Sequence, residues 1–208
     1  MELKNLALRT VGAIGLALSW VGPAFGGELE TLQKEWWQWT MSIPASHNPI
    51  FDKTGNRCGI AQRGDVWFLA GSTGGKVSRI CTVPAGVKFF VPVVNTFCFP
   101  DAAFSDAFCG IDTDNFIDSF QSGTVSLTVD GTPVTVTDVR DETDFNFAVD
   151  ANGIFGTKPG IYRATIARGL WGLVGPLAPG AHTVTIDASG PLFGLSATYS
   201  LNVLSPAN

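Results

Sequence analysis

Apolar residues fall at helical steps most clearly between Glu28 and Met41, where Leu29, Leu32, Trp36 and Trp39 share one face. Glu30, Gln33, Lys34 and Trp37 lie off that face, so the pattern predicts an amphipathic helix and makes Trp37 a candidate for exposure. The preferred reading is a helix buried on two sides, since apolar stripes in globular helices are often wide. Ile43 and Pro44 end the helix, and residues 45–57, with Asn48-Pro49, Asp52 and Thr54-Gly55-Asn56, read as a loop. Strand signals follow at Val66 to Ala70, Val77 to Val83 and Val87 to Val94, joined by a glycine-rich turn and by Pro84-Ala85-Gly86. Their succession predicts a meander. Pro92 lacks a backbone donor, which puts that part of the third run at a sheet edge or a bulge. The alternation lapses from Phe99 to Gln121, where a disulfide-closed loop and a short helix around Asp114 to Phe120 are expected. It resumes at Thr124 to Val129 and Pro133 to Val139, joined through Asp130-Gly131, a hairpin signal because both residues tolerate positive φ. Phe145 to Val149, Ile161 to Ala167, His182 to Asp187 and Leu195 to Val203 complete the set. Thr183 to Ile186 and Tyr199 to Val203 alternate cleanly, as half-buried antiparallel strands do.

Many short strands, punctuated by 24 glycines and 12 prolines, predict a mainly β protein. The expected fold is an antiparallel β-sandwich, Ig-like or jelly-roll-like, with the N-terminal helix packed on one sheet and a short helix in the middle. An outer-membrane barrel fits poorly, because its strands need about nine to eleven residues and these runs are often shorter. Residues 27–208 are long enough to bury one core and show no repeat or linker, so one domain is expected there.

Residues 1–26 read as a cleaved export signal. Lys4 and Arg9 precede an uncharged run from Thr10 to Val21 that is shorter than the roughly twenty residues a spanning helix needs. Pro23 breaks the run, and Ala24 and Gly26 supply small residues before the cut, leaving Gly27 as the expected mature start and no membrane span in the mature chain. The four cysteines, Cys58, Cys81, Cys98 and Cys109, then enter an oxidising compartment and read as two disulfides. Of three pairings, Cys58 with Cys81 and Cys98 with Cys109 close the shorter loops. Zinc is disfavoured, since no Cys-x-x-Cys spacing and no nearby histidine is present. The formal net charge is −5 and the basic residues are scattered, which argues against nucleic acid as a partner.

Asn48-Pro49, Asp52, Thr54-Gly55, Cys58, Gln62, Val66 to Gly71, Gly74-Gly75, Arg79, Cys81 and Val83 to Gly86 form one pattern; Phe90 and Asn95 extend it. Pro176-Leu177, Pro179-Gly180, His182-Thr183 and Thr198-Tyr199 close the chain in the same style. Together they resemble a family of secreted bacterial proteins with no established activity. The resemblance covers most of the mature chain and departs at Arg63, Asp65 and Arg168 to Leu170. It implies export, a bacterial source and a shared fold, and it supplies no catalytic residue.

No reacting constellation stands out. His47 and His182 are the two histidines, and no Gly-x-Ser-x-Gly elbow accompanies them. His182 reads as a ring on a sheet rim. Asp112, Asp114 and Asp118, with Asn115, form the densest group of oxygen ligands and are the candidate calcium site, calcium being the one cofactor considered. The alternative is a solvated helix start, where acidic residues favour the dipole. Trp37, Asn48 and Asp52 are the candidate binding residues, Trp37 because an outward indole stacks on a sugar or a partner surface. Arg63-Gly64-Asp65 spells an adhesion tripeptide and is read as a turn. The expected role is a non-catalytic exported binding or assembly protein, in the periplasm or outside the cell, its partner a polysaccharide or another surface protein. A hydrolase using acidic loop residues and a subunit of a surface fibre are the alternatives.

Overall fold

The computed structural model describes residues 26–100, 105–150, 152–191 and 193–206. The expected export segment lies outside these except for Gly26, where the first helix begins. Helix α1 spans Gly26–Ser42 and α2 spans Asp106–Asp118. The strands are β1 (Val66–Phe68), β2 (Gly75–Val83), β3 (Lys88–Cys98), β4 (Thr124–Val129), β5 (Thr132–Pro133) and β6 (Thr137–Asp141). They continue with β7 (Phe145–Val149), β8 (Gly160–Ala164), β9 (Ile166–Val174), β10 (Gly180–Ser189) and β11 (Gly194–Val203).

Two open sheets stack as a sandwich, one in the order β1-β3-β9-β6 and the other β2-β11-β10-β4-β5. Val91, Leu127, Ile186 and Leu201 fill the space between them. A second core lies on the far face of the first sheet, where Trp36, Phe90, Phe147 and Trp171 pack beneath α1 and a β7-β8 hairpin. Strand β3 is therefore buried on both faces, which explains its continuous apolar run. Both disulfides form as the shorter-loop pairing, Cys58–Cys81 and Cys98–Cys109. No helix among the described residues is long and apolar enough to cross a membrane.

The pairing corrects the meander. β1 lies parallel to β3, while β2 leaves for the other sheet and runs parallel to β11. The remaining pairings are antiparallel. The run from Pro133 to Val139 is likewise two strands, β5 in one sheet and β6 in the other, with Val134 and Val136 packed on the core at the crossing. Pro92 sits at a register shift between Pro92 and Val94, the bulge that its missing donor demands. Asp130 and Gly131 turn the β4-β5 hairpin at φ of 50° and 77°.

Strand β9 continues to Val174, well past the expected end at Ala167. Its glycines mark close approach. A Cβ on Gly169 would stand 2.4 Å from Trp171 Nε1, and one on Gly172 would stand 2.1 Å from Leu127 Cδ2. Helix α2 starts eight residues before the expected Asp114, because the Ser105 hydroxyl caps it by accepting from the Phe108 N–H at 3.3 Å.

Helix α1 exposes one narrow stripe, Gly27, Thr31, Glu35, Gln38 and Ser42. Trp37, a candidate for exposure on spacing alone, is only 5% exposed and stacks on Phe97 at 4.2 Å between ring centroids, so the helix is buried on two sides, the reading preferred from the width of its apolar stripe. The β7-β8 hairpin and the end of β3 cover the side that the spacing left open.

Candidate functional site

Helix α1 leads into a loop that its own polar residues close. Asn48 Nδ2 donates to the carbonyls of Thr40 at 2.7 Å and Ile43 at 3.0 Å, while its Oδ1 accepts from the Ile50 N–H at 3.1 Å. That side chain satisfies helix-end carbonyls and starts a 3₁₀ turn over Pro49–Phe51. Asp52 then folds the next turn: Oδ1 accepts from the Thr54 N–H and hydroxyl, and Oδ2 accepts from the Arg57 N–H at 2.8 Å. Burial alone would raise the Asp52 carboxyl, but these donors hold it below the usual range. Asn48 and Asp52 are both buried and fully engaged. They are framework rather than accessible ligands.

Arg79 fastens this loop to the sandwich. It is only 2% exposed, and its guanidinium donates to the carbonyls of Asp52 at 2.7 Å, Ala70 at 2.6 Å, Gly71 at 2.8 Å and Ile50 at 3.3 Å. It also donates to the Tyr199 hydroxyl at 2.6 Å, and that hydroxyl in turn donates to Ala70 O at 2.7 Å. Among the described residues Arg79 makes no ion pair with a carboxylate. Backbone dipoles carry its charge. Burial pushes the Tyr199 phenol up, with Arg79 opposing it. Much of the motif-like first third of the chain therefore converges on one knot of loops.

That knot holds one wall of a cavity of about 280 Å³. Ile50 and Gly71 come from the two loops that Arg79 ties. Opposite them, the β3 bulge turns Val93, Val94 and Asn95 toward the same space, and α1 contributes Trp36 and Trp37. At the open side stands Phe155, 64% exposed and held at φ of 56°, a left-handed backbone that a bulky residue rarely adopts. Its ring meets Phe51 edge-on at 6.2 Å. Among the described residues, no charged side chain lines the cavity. Trp37 Nε1 and Asn95 Nδ2, both closed off from solvent, have no hydrogen-bond partner among the described residues.

The acidic cluster lies elsewhere. Asp112 is exposed, whereas Asp114 and Asp118 turn toward Arg168, which also reaches Asp138, with N–O separations of 3.1, 3.0 and 2.6 Å. Arg140 bridges Asp114 at 2.8 Å and Glu142 at 2.9 Å. The Arg140 hydrogen bond, aided by Arg168, holds Asp114 below the usual carboxylate range. A guanidinium thus stands where the calcium reading put a cation, and among the described residues no group of three acidic, histidine or cysteine side chains is arranged to hold a metal. The network fastens α2 to the first sheet.

Among the described residues the histidines form no relay. His47 contacts its neighbour Ser46 Oγ at 2.9 Å, with no carboxylate behind it among those residues. His182 sits on the rim, as expected, with Nδ1 2.7 Å from Asp130 Oδ2 and Nε2 2.8 Å from the Ala178 carbonyl, so both ring nitrogens are taken. Of the residues singled out from the pattern, the fold brings Trp37, Asn48 and Asp52 to the cavity and its frame and leaves the three aspartates apart. Arg79 stood in the sequence pattern with no role assigned, and Phe155 was not singled out. Arg79 was accessible, because it lies in phase with the inward Cys81 and Val83; Phe155 carried no local signal.

The fold and site define a three-layer β-sandwich with an uncharged aromatic cavity. No protein-family model and no curated protein matches the chain. Among solved structures, one titled "Solution Structure of Amebosin" matches at 10% identity and a TM-score of 0.20, over 62% of this chain and 95% of that one. That likeness is too slight to bear on fold or function.

Proposed function

We propose that the protein is an exported, non-catalytic binding domain that holds a small, uncharged, mainly apolar molecule in the aromatic cavity. The observation that carries this is the lining: Trp36, Trp37, Phe155 and the bulge valines, with no charge among them, around about 280 Å³. Ligand sites are concave, largely apolar and rimmed by a few polar groups, and here Ser72, Thr73 and Asn95 are those groups. At roughly 30 Å³ per atom, the space accepts on the order of nine non-hydrogen atoms. Export is supported by the signal-like first 26 residues, by two disulfides of the kind that persist in oxidising compartments, and by the resemblance to secreted bacterial proteins.

A thermal-shift series with indole, toluene and cyclohexanone tests the reading, since a ligand that binds only the folded state raises Tm with its concentration. At least one is expected to do so, and Thr73→Trp, at an exposed lining position, is expected to abolish the rise while leaving the ligand-free Tm within a few degrees. Flat melting curves for all three, or a rise that survives the tryptophan, would refute it.

A further inference from the structure

We infer that the protein carries a second, chemically different binding site, an open groove beside α1 that takes a neutral saccharide. The groove measures about 700 Å³, inside the roughly 300–1,000 Å³ span of ligand sites. It is bounded by the exposed stripe of α1, by the turn at residues 63–65 ahead of β1, and by the rim of β7. Unlike the cavity's, its lining carries charged side chains. Glu35, Arg63, Asp65 and Asn146 line it, and none of these side chains has a hydrogen-bond or ion-pair partner among the described residues. Gln38 lines it too, its amide nitrogen already spent on the Asn146 carbonyl at 2.8 Å. Beneath them lie Trp39 and Phe68, with ring centroids 5.6 Å apart.

Unspent donors and acceptors of both signs above an aromatic floor match a ligand whose hydroxyls both give and receive hydrogen bonds and whose C–H face is apolar. A sugar has both. At roughly 30 Å³ per atom, the groove holds on the order of two sugar rings. Two carboxylates against one guanidinium disfavour a phosphate backbone.

An extended peptide is disfavoured for a different reason. Strand addition needs free backbone groups on a sheet edge, and here they are occupied. The Gln62 carboxamide accepts from the Phe68 N–H at 2.9 Å and donates to the Phe68 carbonyl at 2.8 Å, imitating a neighbouring strand on the outer edge of β1. On the facing wall, Gln38 occupies the Asn146 carbonyl of β7.

The test titrates the full chain with soluble hexamers derived from cellulose, chitin, xylan and an α-glucan at millimolar concentration, read by calorimetry and tryptophan fluorescence. At least one is expected to bind. The Glu35→Ala/Asp65→Ala double variant, altered at exposed positions and checked for an unchanged near-ultraviolet spectrum, is expected to weaken it at least tenfold. Thr73→Trp is expected to leave it unchanged, which separates the groove from the cavity. Silence toward all four hexamers, or equal affinity in the folded double variant, overturns the inference.

Discussion

Arg79 is a buried cation surrounded by carbonyls, so its removal costs more than the bonds it makes. Arg79→Met leaves the carbonyls of Asp52, Gly71 and Ile50 without their donor, and such orphaned groups cost about 1–3 kcal/mol each. Urea denaturation is expected to show a loss of at least about 3 kcal/mol, and Arg79→Lys should recover only a minor part, since a single ammonium does not span the fork. Retention of wild-type stability in the methionine variant would mean that the knot is held by other contacts. Gly169 is a second sensitive position. A methyl there meets Trp171 Nε1 at 2.4 Å and Asn95 Cβ at 2.8 Å within a packed core, so Gly169→Ala is expected to destabilise by about 1–3 kcal/mol in the same assay.

Among the elements, α2 is tied down by a disulfide from its first turn to the end of β3, by Arg168 and Arg140 on its acidic face, and by Arg163 of β8 at Asp106. Replacing Cys98 and Cys109 together by serine is expected to cost about 2–3 kcal/mol, the magnitude for so short a loop. Hydrogen exchange should quicken first in residues 106–112, while β9 and β10 keep their protection; uniform loss across the sandwich would show that the bond supports more than its helix. The strands were legible where one face is wet. β4, β7, β10 and β11 sit within two residues of where alternation puts them, because a half-buried strand writes its period into the sequence. What stayed hidden depends on distant chain. β9 is buried on both faces, so it has no alternation, and its glycines look like turn formers until Trp171 and Leu127 are seen to need the space. Trp37 was left open by spacing alone for the same reason, since Phe97 and the β7-β8 hairpin that cover it come from later in the chain, though the width of the apolar stripe pointed to its burial. The loop residues Asn48 and Asp52 were recognisable as important, but their hydrogen bonds make them builders of the cavity wall rather than contacts for a ligand.

The molecule as a whole should have a lopsided pH profile. Asp114, hydrogen-bonded to Arg140, is held below the ordinary carboxylate value near 3.8, and so are Asp52 and Asp141, where hydrogen bonds outweigh the opposing effect of burial. Their contribution is complete above that value and disappears as pH falls through the lowered ones, so stability should drop steeply below about pH 4. His182 is raised above 6.5, chiefly by its hydrogen bond to Asp130. Its contribution is complete below 6.5 and fades as pH rises through the raised value, giving a shallow decline, small because the Asp130 partner is half exposed. Melting temperature across pH 3–9 should show both limbs, with His182→Gln flattening only the upper one; a profile that peaks above pH 8 would contradict this assignment. At the same scale, the amide that imitates a strand on the rim of β1 has a colloidal consequence. A chain displayed at high local density risks zipping onto its copies through open backbone ladders, and this edge offers no template for it. Gln62→Ala should therefore leave the protein folded yet shorten the lag before it clumps on prolonged storage.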